Sequence, residues 1–227
     1  MSKPKRIAKD LWRWTAPHPE WHPGDFGAEV ASFAARTGED TLLVDPQLPP
    51  EPDAVLELVE SILGERLSIL VTLPYHVRSS EALRDRFKKD IATTIWGHPD
   101  CTKRMKRKTA FKPIDPNDPR KPLPAGVSAH VIGKPRRTET PLLLPSHRAL
   151  VFGDAVAEEG GRLRVWAMER VDDRVERFYR ERFNPTLKPL LELDFDRVLV
   201  THGQPVMKDG KKAFRSALRS KPWYNRA

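Results

Sequence analysis

The sequence predicts a mixed fold of strands and helices, in which two similar halves pack sheet to sheet with their helices outside. Between residues 41 and 96, short hydrophobic runs alternate with helical segments, and this strand–helix–strand order is typical of an α/β layer. From residue 127 onwards, strands again come first and helices follow. The second half therefore repeats the order of the first.

The first half begins with an edge strand or short helix over residues 7–14, followed by a proline-rich loop that extends to Gly24. The apolar runs 28–35 and 41–44 are joined by a turn-rich spacer and predict a hairpin. Periodicity and capping residues then predict a helix at 54–63, a buried strand at 67–72, a helix at 81–89 and a strand at 91–96.

Residues 101–124 differ from their surroundings, because the basic run 103–108 precedes the proline-rich stretch 113–122. We therefore predict a basic, proline-rich loop or insertion outside the core. The second half then supplies strands at 127–132, 141–144, 149–152 and 163–166, helical residues at 173–191, a strand at 197–201 and a last helix at 211–220.

Length and composition limit the class of protein. The 227 residues suit one domain over 1–227, with residues 1–14 as an N-terminal edge segment. No apolar run approaches the roughly 20 residues that a membrane span needs, so we expect no membrane partner. A single cysteine, Cys101, and the lack of an apolar stretch after the basic N-terminus predict a cytoplasmic location. The net charge of +9 favours anionic partners.

Two late segments each lead from a hydrophobic strand into a residue that can bind a metal ion. Residues 150–155 read Leu-Val-Phe-Gly-Asp-Ala, and residues 198–203 read Val-Leu-Val-Thr-His-Gly. A buried strand fixes its last residues at the sheet edge, where Asp154 and His202 can supply an oxygen and a nitrogen ligand. A catalytic zinc site usually needs three protein ligands. The function therefore depends on whether other residues complete the site.

Five segments, in this order along the chain, resemble the metallo-β-lactamase superfamily and in particular its compact bacterial members. They are Leu-Leu-Val-Asp-Pro at 42–46, the strand into Thr72, Leu-Pro-Ala-Gly-Val at 123–127, Leu-Pro-Ser-His-Arg-Ala-Leu-Val-Phe-Gly-Asp at 144–154, and Thr-His-Gly-Gln-Pro at 201–205. The resemblance implies an α+β fold, a four-layer αββα sandwich with its active site at the open edge between the sheets. It also implies hydrolase ancestry.

The chain departs from this family at its metal-binding signature, His-x-His-x-Asp-His after a strand and a threonine. The corresponding stretch runs from Thr72 to Ser80. Without a gap, four other residues stand at the ligand positions: Leu73, Tyr75, Val77 and Arg78. His76 reaches a ligand position only if the register shifts by one.

A further family ligand lies on a Gly-His turn upstream of the Gly-Asp motif. The nearest match here is Gly133-Lys134, which puts a lysine at that position. Arg78 and Lys134 would bring positive charge to the place where two dications normally lie. Residue by residue, Asp154 and His202 alone carry over, so the resemblance implies a degenerate metal site.

Two functions follow for the cleft. The ligand count favours a metal-free protein that binds a small ligand, an anion being one option, or is non-catalytic; Arg78 or Lys134 then pairs with Asp154. The alternative is a mononuclear hydrolase of an ester, amide or phosphoester, with one zinc, manganese or iron ion on His76, Asp154 and His202. Presence and absence of the ion are equally open at this point.

A third function is nucleic-acid binding through the basic residues 103–112 and Arg136-Arg137. The sequence contains no recognisable reading motif beside them, so a solvated basic loop is the simpler interpretation.

Three further residues are candidates for ligand binding or for filling the site. His18 and His22 lie in the proline-rich loop and could line the mouth of the cleft. Asp45 ends a strand and resembles a family aspartate near the metal edge, although it could simply bind backbone groups in its turn.

Overall fold

The computed structural model describes residues 3–23, 25, 27–107, 111–116, 118, 121–133 and 138–224. Within them, the larger sheet consists of β1 (Lys5–Ala8), β2 (Leu11–Pro17), β3 (Glu29–Thr37), β4 (Asp40–Val44), β5 (Arg66–Val71), β6 (Ala92–Gly97) and β7 (Phe111–Pro113). The strands lie side by side in chain order. Neighbours from β1 to β4 are antiparallel, and neighbours from β4 to β7 are parallel.

The second sheet is formed by β8 (Ser128–Ala129), β9 (Leu142–Leu144), β10 (Ala149–Phe152) and β13 (Arg197–Val200). Its spatial order is β13-β10-β9-β8, and β10 runs parallel to β13. A separate antiparallel ribbon joins β11 (Val156–Glu159) to β12 (Arg162–Val165). The sequence predicted β12 but not β11.

Helices connect and cover these sheets. They are α1 (Asp53–Ser61), α2 (Ser80–Phe87), α3 (Asp173–Phe178), α4 (Asn184–Leu187) and α5 (Gly210–Arg219), with a π-helical turn (Tyr179–Phe183) between α3 and α4. In the described part of the chain, no helix is long and apolar enough to cross a bilayer.

Alternation along the strands produces four layers. In β5, Leu67 and Ile69 pack with α1 and α2, whereas Leu70 faces the second sheet. In β10, Val151 faces the first sheet, whereas Phe152 packs with α5. Because successive side chains point to opposite faces, each sheet buries one face against the other sheet and one against helices. This arrangement confirms the predicted αββα sandwich.

The segment 101–124 requires a correction, because part of it belongs to the core. β7 pairs in parallel with β6, and three apolar side chains of the segment are buried: Cys101, Met105 and Ile114. The charge and proline content of this segment conceal a short strand, whose formation depends on the neighbouring edge of the sheet rather than on its own pattern.

Candidate functional site

Four strands end at the edge where the two sheets meet, and a polar residue follows each of them. Asp45 follows β4, Thr72 follows β5, Asp154 lies two residues after β10, and His202 lies two residues after β13. β4 and β5 are parallel neighbours, and so are β10 and β13. Parallel strands bring their carboxyl ends to one edge of a sheet, which is where open sheets bind ligands.

His76 connects the two sheets at this edge. A 3₁₀ turn over Pro74–Val77 positions the buried imidazole. Its Nδ1 lies 2.9 Å from Oδ2 of Asp45, and its Nε2 lies 3.4 Å from Oδ1 of Asp154. The ring therefore lies between one carboxylate of each sheet.

Asp45 is fully engaged in this network. Its Oδ1 accepts a hydrogen bond from the Thr72 amide at 2.8 Å, and its Oδ2 accepts one from the Thr72 hydroxyl at 2.5 Å in addition to the His76 contact. The backbone of Asp45 has a φ of +47°, a left-handed conformation that few residues other than glycine adopt. The three contacts compensate for this strain and orient the carboxylate.

His202 approaches Asp154 from the other side. Its Nε2 lies 3.6 Å from Oδ1 of Asp154, and the ring of His18 is nearly parallel to it, with centroids 6.1 Å apart. The backbone at Gly27 also lies close to His202, since a Cβ atom at this position would lie 3.2 Å from Nδ1 of His202. The φ of Gly27 is +64°, so both its conformation and its closeness to His202 favour glycine.

The two central histidines differ in charge. Burial and the Arg78 guanidinium act to lower the pKa of His76, but the carboxylates of Asp154 and Asp45 outweigh them and raise it. Burial lowers the pKa of His202 to about 4, an effect that Asp154 only partly offsets. Burial acts to raise the pKa of Asp154, but His76, His202 and Arg78 reverse this and bring it below its usual range. At neutral pH the site therefore contains a neutral His202 and an ionised Asp154, and the balance of charges favours a protonated His76.

These residues open onto a cleft of about 710 Å³. Its walls include His18, Trp21, Tyr75, Trp166 and Met168 besides His76, Asp154 and His202. The side chain of Tyr75 is 59% exposed, and the Arg104 guanidinium lies 3.7 Å above the centre of its ring. Of the two loop histidines, His18 lines the cleft, whereas His22 is exposed and its amide bonds the Asp25 carboxylate.

No protein-family model and no curated protein matches this chain by sequence. Solved structures do match it. A metallo-β-lactamase from Pontibacter korlensis has a TM-score of 0.65 over 96% of this chain and 98% of its own, at 12% identity. This protein has the metallo-β-lactamase fold.

Two further structures with this fold carry different metals. The metallo-β-lactamase FIM-1 from Pseudomonas aeruginosa, in its mono-zinc form, has a TM-score of 0.62 over 95% of this chain and 92% of its own, at 13% identity. The chemotaxis sensor ODP, as a peroxy diiron species, has a TM-score of 0.59 over 95% and 92%, at 15% identity. Whether a metal ion fits this protein therefore has to be tested on the residues present.

The signature segment of the metallo-β-lactamase fold has a different composition here, and the structure assigns each residue a place. Leu73 packs against Gly153, where a Cβ atom would lie 2.2 Å from its Cδ2. Tyr75 faces the cleft, and Val77 is buried in the core beneath α1 and α2. His76 is the residue of this segment that reaches Asp154. It does so because the 3₁₀ turn directs its ring into the site, one position away from the expected register.

The predicted pairing of Arg78 with Asp154 is wrong in its geometry. The Arg78 guanidinium donates to the backbone carbonyl of Asp45 at 3.3 Å and influences Asp154 through its charge alone. The contact expected of Arg78 is made by His76 instead. The backbone of Arg78 has a φ of +40°, and its side chain contacts the backbone of the Asp45 turn. Lys134 and the pair Arg136-Arg137 lie outside the described residues.

Glu139 is a site residue that the sequence did not reveal. It lines the cleft, is buried, and accepts hydrogen bonds from the amides of Gly153 at 3.0 Å and Ala155 at 2.7 Å. It thereby fixes the backbone on both sides of Asp154. The sequence feature that could have indicated it is an acidic residue just before the hydrophobic strand β9, in Thr138-Glu-Thr-Pro141.

The basic segment is largely paired with acidic side chains where it is described. Lys103 lies 2.8 Å from Asp100, Arg104 lies 2.9 Å from Glu20, and Arg107 lies 2.7 Å from Asp85. In addition, Glu81 accepts hydrogen bonds from the backbone amides of residues 106 and 107. These pairs reduce the charge that the segment presents to a polyanion.

Among the described residues, no group of three or more histidine, cysteine, aspartate or glutamate side chains is arranged to hold a metal ion. A metal-binding imidazole must also be unprotonated. The two ring nitrogens of His76 face the carboxylates of Asp45 and Asp154, which raise its pKa, so a metal ion there would compete with a proton.

Proposed function

We propose that this protein is a metal-free, small-molecule-binding member of the fold, of hydrolase ancestry, in which protonated His76 replaces a metal ion beside Asp154. The observation that carries the proposal is the position of His76, with its two ring nitrogens next to carboxylates of different sheets. A positive imidazolium at this point offsets one of the two negative charges of Asp45 and Asp154. It also joins the edges of the two sheets, and both of its ring nitrogens then face carboxylates, so neither is left to bind a metal ion.

The cleft supports a role in binding. Its volume of about 710 Å³ lies within the range of typical small-molecule sites, roughly 300–1,000 Å³. Aromatic side chains line it, and polar groups converge at the strand ends. A cytoplasmic location is part of this proposal and is supported by a single cysteine that is buried and unpaired.

The test is the metal content of protein purified without chelators. We expect far less than one equivalent of zinc, manganese or iron, and no change in thermal unfolding temperature when each ion is added. An ion that binds the folded state must raise its stability, so such a shift would be visible. A content near one equivalent, lost in a His76→Gln variant, would contradict the proposal.

The second candidate is a mononuclear metal-dependent hydrolase. It is favoured by the distances from Oδ1 of Asp154 to the two Nε2 atoms, which are 3.4 and 3.6 Å. Two ligand atoms of a tetrahedral zinc site are separated by about 3.4 Å, given bond lengths near 2.1 Å. The metal analysis separates the two candidates. Nucleic-acid binding is less well supported, because the described basic residues have acidic partners.

A further inference from the structure

The cleft is acidic although the chain is basic. The formal net charge of the chain is +9. Five carboxylates nevertheless line the cleft: Glu20, Asp25, Asp100, Glu139 and Asp154. Lys103 and Arg104 are the basic partners at its rim, and each is already paired, with Asp100 and Glu20. Carboxylates therefore outnumber the lysine and arginine side chains among the described residues that line the cleft, which favours cations there, against the sign of the whole molecule.

Asp154 is the carboxylate with capacity for a ligand. Its side chain is 17% exposed and lines the cleft. Its Oδ1 is buried between Nε2 of His76, at 3.4 Å, and Nε2 of His202, at 3.6 Å. The exposed part of the carboxylate is therefore directed to the cleft. An ammonium group offers three N–H donors and would satisfy it, whereas a carboxylate or phosphate would be repelled.

The walls near Asp154 suit a flat apolar group. Trp21, Tyr75 and Trp166 supply aromatic surface, and Met168, which is 65% exposed, adds a flexible thioether. Aromatic faces attract cations as well as other rings. The position of Arg104 over the Tyr75 ring shows this preference within the cleft itself.

We propose that the cleft binds an organic cation that carries an aromatic or similarly flat group, with its ammonium on Asp154 and its ring between the aromatic walls. This inference rests on the proposed function, because a metal ion bound to Asp154 would occupy the carboxylate that the ammonium group needs. It replaces the anionic ligand that the net charge of the chain favours. The local distribution of charge, and not the total, determines which ligand enters.

Two probes of matched shape and opposite charge test this proposal: tryptamine, a cation at neutral pH, and indole-3-propionate, an anion. Their affinities would be measured by isothermal titration calorimetry in the presence of a chelator. We expect tryptamine to bind the native protein at least tenfold more tightly. Asp154→Asn, which keeps the shape of the side chain, should lower tryptamine affinity at least tenfold. Glu60→Gln, on the exposed face of α1 and outside the cleft, is the matched control and should leave it unchanged.

Equal or tighter binding of indole-3-propionate would overturn the cation proposal, and so would failure of both probes to bind. Neither result would contradict the proposal of a metal-free protein, because that proposal is tested by the metal content. If Asp154→Asn does not fold, Glu20→Gln replaces it. This exposed substitution removes a cleft carboxylate and frees Arg104, so tryptamine affinity should fall and indole-3-propionate affinity should rise. Unchanged affinities in this variant would also contradict the proposal.

Discussion

Asp45 and Asp154 lie on opposite sides of His76, and their surroundings differ. Asp45 ends a strand of the first sheet, is almost completely buried, and takes part in three hydrogen bonds with Thr72 and His76. Asp154 follows a strand of the second sheet and lines the cleft, and its Oδ1 lies 3.4 Å from Nε2 of His76 and 3.6 Å from Nε2 of His202. The carboxylate of the first sheet is thus engaged within the protein, whereas that of the second sheet lines the cleft.

This difference separates stability from binding. A buried carboxylate whose acceptors are all engaged contributes to folding and has little capacity for a ligand. A carboxylate that lines a cleft can in addition exchange water for a ligand. Equivalent positions at the ends of the two sheets therefore have different roles.

The variants Asp45→Asn and Asp154→Asn compare the two sheet edges directly. Of the changes considered, they should have the largest effect on the free energy of unfolding. We expect Asp45→Asn to lower the free energy of unfolding by about 3–5 kcal/mol, because it removes the nearer of the two carboxylates that face the buried His76. Asp154→Asn should cost no more than about half of this, since fewer hydrogen bonds are lost. Urea unfolding at pH 7 measures both. Equal losses would mean that Asp154 is as structural as Asp45.

The fold and half of the site could be predicted from the sequence because they depend on local pattern. The alternation in β5 and β10 determines which faces are buried, and strand ends determine where Asp154 and His202 lie. These properties need only the period of two and the rule that parallel strands share an edge. They are independent of the exact partners of each residue.

The remaining site residues depend on contacts that a linear pattern does not record. His76 enters the site because a 3₁₀ turn begins at Pro74, and motif spacing alone cannot show how such a turn orients a ring. Glu139 binds amides 14 and 16 positions away, at Gly153 and Ala155. The expectation for Lys134 came from matching a Gly-His turn, and it stays a prediction because Lys134 lies outside the described residues.

A pH series on stability should separate the charged from the neutral histidine. The pKa of His202 is lowered to about 4 from an unfolded value near 6.5, so the folded protein binds this proton less readily than the unfolded chain. Its contribution to stability is therefore present above pH 6.5 and is lost as the pH falls towards 4. At about 1.4 kcal/mol per pH unit, the loss approaches 3 kcal/mol. Urea unfolding between pH 4 and 8 should show this loss in the native protein and not in His202→Gln.

His76 should behave in the opposite way. Because its pKa is raised in the folded state, its contribution is fully present below pH 6.5 and is lost as the pH rises through the folded pKa. His76→Gln should therefore remove a decline of stability on the alkaline side and leave the acid side intact. If the stability of His76→Gln and His202→Gln depended on pH in the same way, the two histidines would be equivalent. This result would contradict the difference between the two sheet edges.

Gly153→Ala tests the contact between the two edges and should have the smallest effect of the three. A Cβ atom at this position would lie 2.2 Å from Cδ2 of Leu73 and 2.6 Å from the Thr72 hydroxyl, so these neighbours must move. We expect a loss of about 1–3 kcal/mol, typical of overpacking. Adding Leu73→Ala supplies space, so the double variant should lose less stability than the sum of the two single variants.

Gly160→Ala is the control for backbone strain without crowding, because Gly160 has a φ of +59° and no neighbouring atom within 4 Å of its added Cβ. Strict additivity in the Gly153 and Leu73 pair would mean that the two edges pack independently, and that the environment of Asp154 is not set by the first sheet.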